Sequence, residues 1–319
     1  MKFLFFTDTH IRASNPSSRK DDYIESLKLK FEEVGEIAKE NNVDYILHGG
    51  DLFDRPDVPV RIVGAFANIL NSYNKPIYII SGNHDIYGHN PKTVERSMLG
   101  LLNQINFVKL INFQEPIVLT KDNLKVQISG VPYIYDIESN YKDYYFPTRL
   151  EGVDYHIVMI HSFLIDKPFI DSISHTLIDE IKDVDADIVL AGHYHTGFGV
   201  KRFNDRYFVN PGSLARTYNS TAEINRIPAV TIIELSKEEL RIDEIKLKSA
   251  KKGEDVFNKS EDRYKIKNEQ IENFKQLIRT SGNLENYNTL EILKEISKDK
   301  NFPKRIVDEA IRRLGEVNE

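Results

Sequence analysis

Three apolar runs in the first 85 residues each end in side chains able to hold a cation or move a proton. Lys2–Phe6 leads into Asp8 and His10. Tyr45–Leu47 leads into His48-Gly49-Gly50-Asp51-Leu52-Phe53-Asp54-Arg55, and Ile77–Ile80 into Ser81-Gly82-Asn83-His84-Asp85. Two later runs repeat the pattern: His156–Ile160 gives way to His161-Ser162, and Ile188–Leu190 to Ala191-Gly192-His193-Tyr194-His195. In an extended chain, residues i and i+2 project to the same side. Asp8 with His10, and His193 with His195, therefore each present two donors together. Of the nine histidines, His10, His84, His161, His193 and His195 follow apolar strand-like runs. Imidazoles gain little from being gathered this way unless something coordinates them. The chain has no cysteine, so the donors are oxygen and nitrogen, a set that suits Mn, Fe or Zn.

Strands alternating with helical patterns must position these clusters. Apolar residues at Ile24, Leu27, Phe31, Val34, Ile37 and Ala38 have the spacing of one helix face, predicting a helix over Tyr23 to Glu40. Ile62–Leu70 predicts a second helix. Strand–helix–strand alternation argues for βαβ units, whose ligands sit at the carboxyl ends of the strands. The glycines before Asp51 and Asn83 let the backbone turn sharply there. From Phe107 onward the rhythm changes to short strands: Phe107–Leu110, Ile117–Leu119, Lys125–Ser129, His156–Ile160, Ile188–Leu190, Tyr207–Val209, Val230–Leu235 and Arg241–Leu247. These predict a second sheet, packed face to face with the first and with helices outside.

The 319 residues suffice for one large domain or two smaller ones. We divide them into a domain over 1–250, of net charge −7, and a charged helical extension over 251–319, of net charge +1. In the extension, Ile266–Ile278, Leu290–Ile296 and a segment opened by Pro303 read as helices, either solvated or docked on a partner. A net charge of −6 argues against coating nucleic acid by bulk charge, though not against an enzyme whose phosphate-binding charge comes from bound cations. No apolar run reaches the about 20 residues of a membrane span, and the N-terminus lacks a secretory pattern, so a cytoplasmic protein is expected. Without cysteine there are no disulfides, iron–sulfur clusters or thiol nucleophile.

The ordered set D-x-H, GDLFDR, GNHD, a lone histidine after a strand, and GHYH resembles the calcineurin-like metallophosphoesterases over residues 1–235. The resemblance implies an α/β fold, a two-sheet αββα sandwich, around two divalent metal ions. Carried over by motif, Asp8, His10 and His195 would hold the first ion, Asp51 would bridge, and Asn83, His161 and His193 would hold the second. His84 would face the phosphoryl group as a catalytic residue, with Asp54 orienting it, and Arg55 would bind substrate phosphate or else lie in a surface ion pair. His48 reads as packed, His156 and His175 as structural. His89 lies near the catalytic loop.

Within that superfamily, Thr7–Arg12, Asp44–Pro56 and Gly82–Asn90 look like the SbcD-like DNA repair nucleases. That branch implies Mn, DNA as substrate, an SbcC-like ATPase partner and dimerisation through helices near residues 60–105, where Val63, Phe66, Ala67 and Leu70 form a stripe. The stripe could equally face this chain's own sheet. Archaeal and eukaryotic relatives carry His where this chain has Asp54, and a mixed α/β cap where 69 residues remain here. The alternative is a phosphodiesterase or phosphatase for small nucleotides. DNA would need a long basic groove, for which Arg12, Arg19, Lys20 and Arg55 are candidate phosphate contacts. Tyr87, Tyr133 and Tyr135 could stack on bases or pack in the core.

Overall fold

A computed structural model describes residues 1–169 and 173–258. The chain runs through β1 (Lys2–Phe6), α1 (Tyr23–Glu40), β2 (Tyr45–His48), α2 (Val60–Ser72), β3 (Ile77–Ile79), α3 (Met98–Gln104), β4 (Lys109–Leu110), β5 (Ile117–Lys121) and β6 (Leu124–Val131). It continues through α4 (Tyr141–Tyr144), β7 (Tyr155–Ser162), β8 (Leu164–Ile165), β9 (Thr176–Leu177), β10 (Ile188–His193), β11 (Gly199–Phe203) and β12 (Arg206–Asn210). The last described elements are α5 (Thr221–Asn225), β13 (Ala229–Leu235), β14 (Leu240–Lys246) and α6 (Gly253–Val256).

The strands form two six-stranded sheets, ordered β14-β13-β1-β2-β3-β4 and β11-β12-β10-β7-β6-β5. Strands β1 to β4 are mutually parallel, as are β6, β7, β10 and β12; antiparallel strands flank both sets. Parallel pairing brings the carboxyl ends of β1, β2 and β3 to one edge, and those of β7 and β10 to the facing edge.

Alternation sorts the side chains. Phe3, Phe5, Leu47 and Tyr78 of the first sheet meet Val126, Ile128, Ile157, Met159, Ile188 and Leu190 of the second in a core between the sheets. Leu4, Phe6, Ile46 and Ile79 point outward onto α1 and α2. Asp22 caps α1 by accepting from Glu25 N, and the predicted face of α1 is buried as expected. Val63, Phe66 and Leu70 of α2 also lie in this outer core, so the stripe faces the chain's own sheet.

Three features add to the sequence reading. The outer face of the second sheet is covered by loops, the one-turn α4 and a short 3-10 turn, with Ile137, Tyr145, Ile178 and Ile181 packed on Val158, Ile160 and Val189. The helical layer is thus confined to one side. Strands β8, β9 and β11 carried no apolar run long enough to flag them. The described chain also stays packed past residue 250: Val256 and Phe257 are buried, and Phe257 bridges to Arg19. The predicted helices from Ile266 onward lie outside the described residues.

Candidate metal centre

The carboxyl ends of β1, β2, β3, β7 and β10 converge as the sequence pattern anticipated. Asp8, His10, Asp51 and His195 bring one donor atom each within 4.8 Å of one another, and so do Asp51, His161 and His193. Asp51 belongs to both groups. In the first, His10 Nε2 lies 4.0 Å from Asp8 Oδ1 and 3.7 Å from Asp51 Oδ2, and His195 Nε2 lies 3.6 Å from Asp8 Oδ1. In the second, His161 Nε2 lies 3.4 Å from Asp51 Oδ2 and 3.2 Å from Asn83 Oδ1. All seven expected donors are therefore present and buried.

The backbone here is held in conformations that most residues avoid. Asp8, His10, Asp51 and His193 all have left-handed φ, at 52°, 43°, 52° and 76°. Such conformations cost of order 1–3 kcal/mol each and collect at functional sites. Surrounding hydrogen bonds enforce them. His193 N donates to the Asp8 carboxylate at 3.0 Å, and Thr7 Oγ1 donates to Asp8 Oδ2 at 2.7 Å. His161 Nδ1 meets the Gly49 carbonyl at 2.7 Å, tying the second sheet to the first and aiming Nε2 at Asp51. Gly50 has φ 98°, and a Cβ there would fall 2.4 Å from His161 Nδ1.

Electrostatics separate the donors. Burial, and then its neighbour His195, hold His10 well below the usual histidine range. Burial likewise pushes His193 down, with His161 adding to it, and takes His195 to about 3. A neutral imidazole is the form that coordinates a metal, and His10 Nε2 and His195 Nε2 lie 3.0 Å apart. Burial would also lower His161, but Asp51 outweighs it and raises that ring to about 9. Asp8 is raised by burial and by Asp51, whereas Asp51 is driven well below the carboxylate range by His161 and His84 despite burial.

The residues fit two divalent cations. Both ring nitrogens of His193 are buried and lack a hydrogen-bond partner among the described residues. A buried polar group in that state costs on the order of 1–3 kcal/mol. Coordination removes that cost for one nitrogen, and a set of carboxylate, amide and imidazole donors without sulfur suits a hard or borderline metal.

His84 stands beside this centre. Its ring packs edge-on against His10 at 4.8 Å, and its backbone N donates to Asp51 Oδ1 at 2.8 Å. Its Nδ1 contacts the backbone carbonyl of Asp54 at 2.9 Å. Asp54 thus reaches His84 through its main chain, while its carboxylate lies 3.3 Å from Arg12 and 3.7 Å from His10 Nδ1. Arg55 lies in the surface ion pair that was one of its two readings: its side chain is 71% exposed and paired with Asp57 at 3.0 Å. Arg19 is buried against Asp21, so neither guanidinium is a free phosphate contact. Tyr133 is buried beside His193, at 6.0 Å between ring centroids, while Tyr87 and Tyr135 are exposed. His89 lies 5.7 Å from Tyr133.

The sequence reading left Asp85 and Ser213 without a role. The Asp85 carboxylate accepts from Gly82 N, Phe53 N and Leu52 N, stapling the two catalytic loops together. It closes the GNHD motif, which was the available signal. Ser213 Oγ donates to the Asp8 carbonyl at 2.7 Å.

A fold of two facing sheets with these donors at one edge is that of a metallophosphoesterase. Residues 1–197 match the calcineurin-like phosphoesterase family, and the chain belongs to it. Relatives that carry the name DNA double-strand break repair protein Mre11 include those of Methanococcus maripaludis and Thermoplasma acidophilum. That of Methanococcus maripaludis is 29% identical over 215 residues, covering 64% of this chain and 54% of that protein. That of Thermoplasma acidophilum is 27% identical over 267 residues, covering 78% and 66%. The chain thus spans between half and two thirds of these curated relatives. A solved dimetal phosphatase from Danio rerio aligns over 76% of this chain and 95% of its own, with a TM-score of 0.48 and 12% identity. No helix among the described residues is long and apolar enough to cross a membrane.

Proposed function

We propose that this chain is a dinuclear-metal phosphodiesterase that cuts DNA, a nuclease of DNA repair or recombination working in the cytoplasm with an SbcC-like ATPase partner. The reading rests above all on Asp51, whose carboxylate is common to two buried donor groups. Asp8, His10 and His195 would hold one ion, Asn83, His161 and His193 the other, with Mn the metal of the SbcD-like branch. DNA is favoured as substrate by relatives named for double-strand break repair.

When bound, two ions supply Lewis acidity toward a phosphoryl group and its attacking water. The chain's own part is positional and protonic. The Asp54 carbonyl fixes the His84 ring through Nδ1, which directs Nε2 away from the main chain. Burial lowers the His84 pKa, but Asp51 and the Asp54 carbonyl raise it overall. With Nδ1 spent on that carbonyl, Nε2 is the ring nitrogen left to donate a proton to a phosphoryl or leaving oxygen. Arg12, held by Asp54, is the cation best placed to meet a neighbouring phosphate.

The test is Mn-dependent cleavage of end-labelled duplex and single-stranded DNA beside a small bis-aryl phosphodiester. The expected result is DNA cleavage by the wild type and none by His84→Ala. Cleavage of the small diester alone would move the substrate to a small nucleotide.

A further inference from the structure

Behind the first donor group lies a second cluster of buried charge. Lys30 and Arg216 are each 1% exposed, Arg19 is 5% exposed, and the Arg226 side chain is largely buried. Two carboxylates accompany these four cations. Asp21 takes Arg19 in a bidentate pair at 2.8 and 2.7 Å, and Glu223 takes Arg226 at 3.1 and 2.9 Å. Buried cations usually face carboxylates, but most of these donors go to backbone carbonyls.

The carbonyls belong largely to one loop, residues 213–217, and the pattern is continuous. Ser213 O accepts from Arg226 Nη1 at 2.6 Å, Leu214 O from Lys30 Nζ at 2.8 Å, and Ala215 O from Arg226 Nη2 at 3.1 Å. Arg216 O accepts from Arg19 Nη1 at 2.7 Å, and Thr217 O from Ser18 Oγ at 2.7 Å. The donors of the same loop face the opposite way. Ser213 N donates to His195 O at 2.9 Å, Leu214 N to Thr7 O at 2.9 Å, and Ala215 N to Asp8 O at 3.3 Å. Ser213 Oγ adds its bond to Asp8 O. The loop thus has its carbonyls fixed by cations and its N–H groups fixed on the backbone of Asp8, Thr7 and His195. Asp8 is one of the residues held at left-handed φ. None of these loop bonds reaches Asn83, His161 or His193.

We propose that Lys30 and Arg226, with Arg19, form a positioning clamp that acts through the 213–217 loop to set the first donor group, Asp8, His10 and His195, and leaves the second group alone. The proposal rests on the two-ion reading of the centre. Charged donors bind carbonyls more strongly than neutral ones do, so the clamp holds the loop against the recoil of the strained Asp8 backbone.

The test is calorimetric titration of the full chain with MnCl2, which needs no turnover. The wild type should bind two equivalents. Lys30→Met, which keeps volume and removes the donor to Leu214 O, should weaken one of the two steps at least tenfold and leave the other within twofold. The weakened step should persist in a His193→Ala background, where the first group stays intact, and vanish in a His195→Ala background. Arg226→Lys, which keeps the charge and loses the two-carbonyl grip, should give a smaller shift of the same step, and it decides the matter if Lys30→Met does not fold. Unchanged affinities in both variants, or equal weakening of both steps, would overturn the clamp. A wild type that binds no Mn2+ would overturn the two-ion reading, and the clamp with it.

Discussion

The His84 ring is anchored by the main chain of Asp54: Nδ1 meets the Asp54 carbonyl at 2.9 Å, while the Asp54 carboxylate turns to His10 and Arg12. The two residues therefore cooperate through an atom that no substitution at position 54 removes. This separates what the two side chains do.

Asp54→Asn should leave His84 in place and loosen His10, whose Nδ1 faces the lost charge. Removing such an outer partner typically costs about 10–100-fold in metal affinity or activity. We expect weaker Mn2+ binding with the pH profile of cleavage retained. His84→Ala should do the reverse, keeping both metals and lowering kcat by about 10²–10⁴-fold. Calorimetry and cleavage rates on the two variants separate the roles.

Divalent metal should stabilise the fold through the same carboxylates. Burial and Asp51 raise the pKa of Asp8, so holding both residues ionised costs free energy that bound cations offset. At a metal concentration 100 times Kd, one site adds about 2.7 kcal/mol. The melting temperature should rise on adding Mn2+ and fall back with a chelator, and Asp51→Asn should remove most of the rise because both donor groups lose a member.

Gly50 is a steric requirement of the second group. Its φ is 98°, and an added Cβ would press on His161 Nδ1, the atom bonded to the Gly49 carbonyl. Gly50→Ala should cost on the order of 2 kcal/mol in stability, from backbone strain alone. It should also displace His161 and weaken metal binding more than it lowers the melting temperature. Thermal melting beside Mn2+ titration would show the disproportion.

How much of this was legible in the sequence depends on the distance over which each interaction acts. The polar clusters follow apolar runs directly, so their place at the ends of strands was readable from local pattern, as was the face of α1 from its 3.6-residue period; the assignment of Asp8, His10, Asp51, Asn83, His161, His193 and His195 as donors came from the family resemblance of the motifs. Arg55 had two readings because Asp57, two residues on, competes locally with a phosphate for the guanidinium, and the structure shows the ion pair. That Asp54 meets His84 through its carbonyl was not legible, since a main-chain atom has no letter in a sequence. The roles of Lys30 and Arg226 were invisible for another reason. Both bind the 213–217 loop, from 184 and 13 residues away; the helical period places Lys30 on the apolar face of α1, between Leu27 and Val34, but does not name the carbonyl its ammonium meets. The detail of the cover on the second sheet was not legible, because short loops with Ile137 and Ile178 bury apolar area as well as a helix does.

Glu138 predicts how the fold responds to pH away from the metal donors. It lies in the loop after β6, and its carboxylate accepts from Phe163 N at 2.7 Å, just beyond the end of β7. Burial pushes its pKa up from 4.5 to about 7, against the lowering effect of that bond. Between those values the folded chain keeps a proton that the unfolded chain has released, so stability is full below pH 4.5 and declines as pH rises toward 7. The loss is on the order of 2 kcal/mol, after allowing for solvent screening of a half-buried carboxyl. Glu138→Gln retains an oxygen for Phe163 N and has no proton to lose. The variant should match the wild type near pH 4.5 and melt several degrees higher at pH 7.5. Equal melting temperatures at both pH values would show that Glu138 ionises as freely as in water.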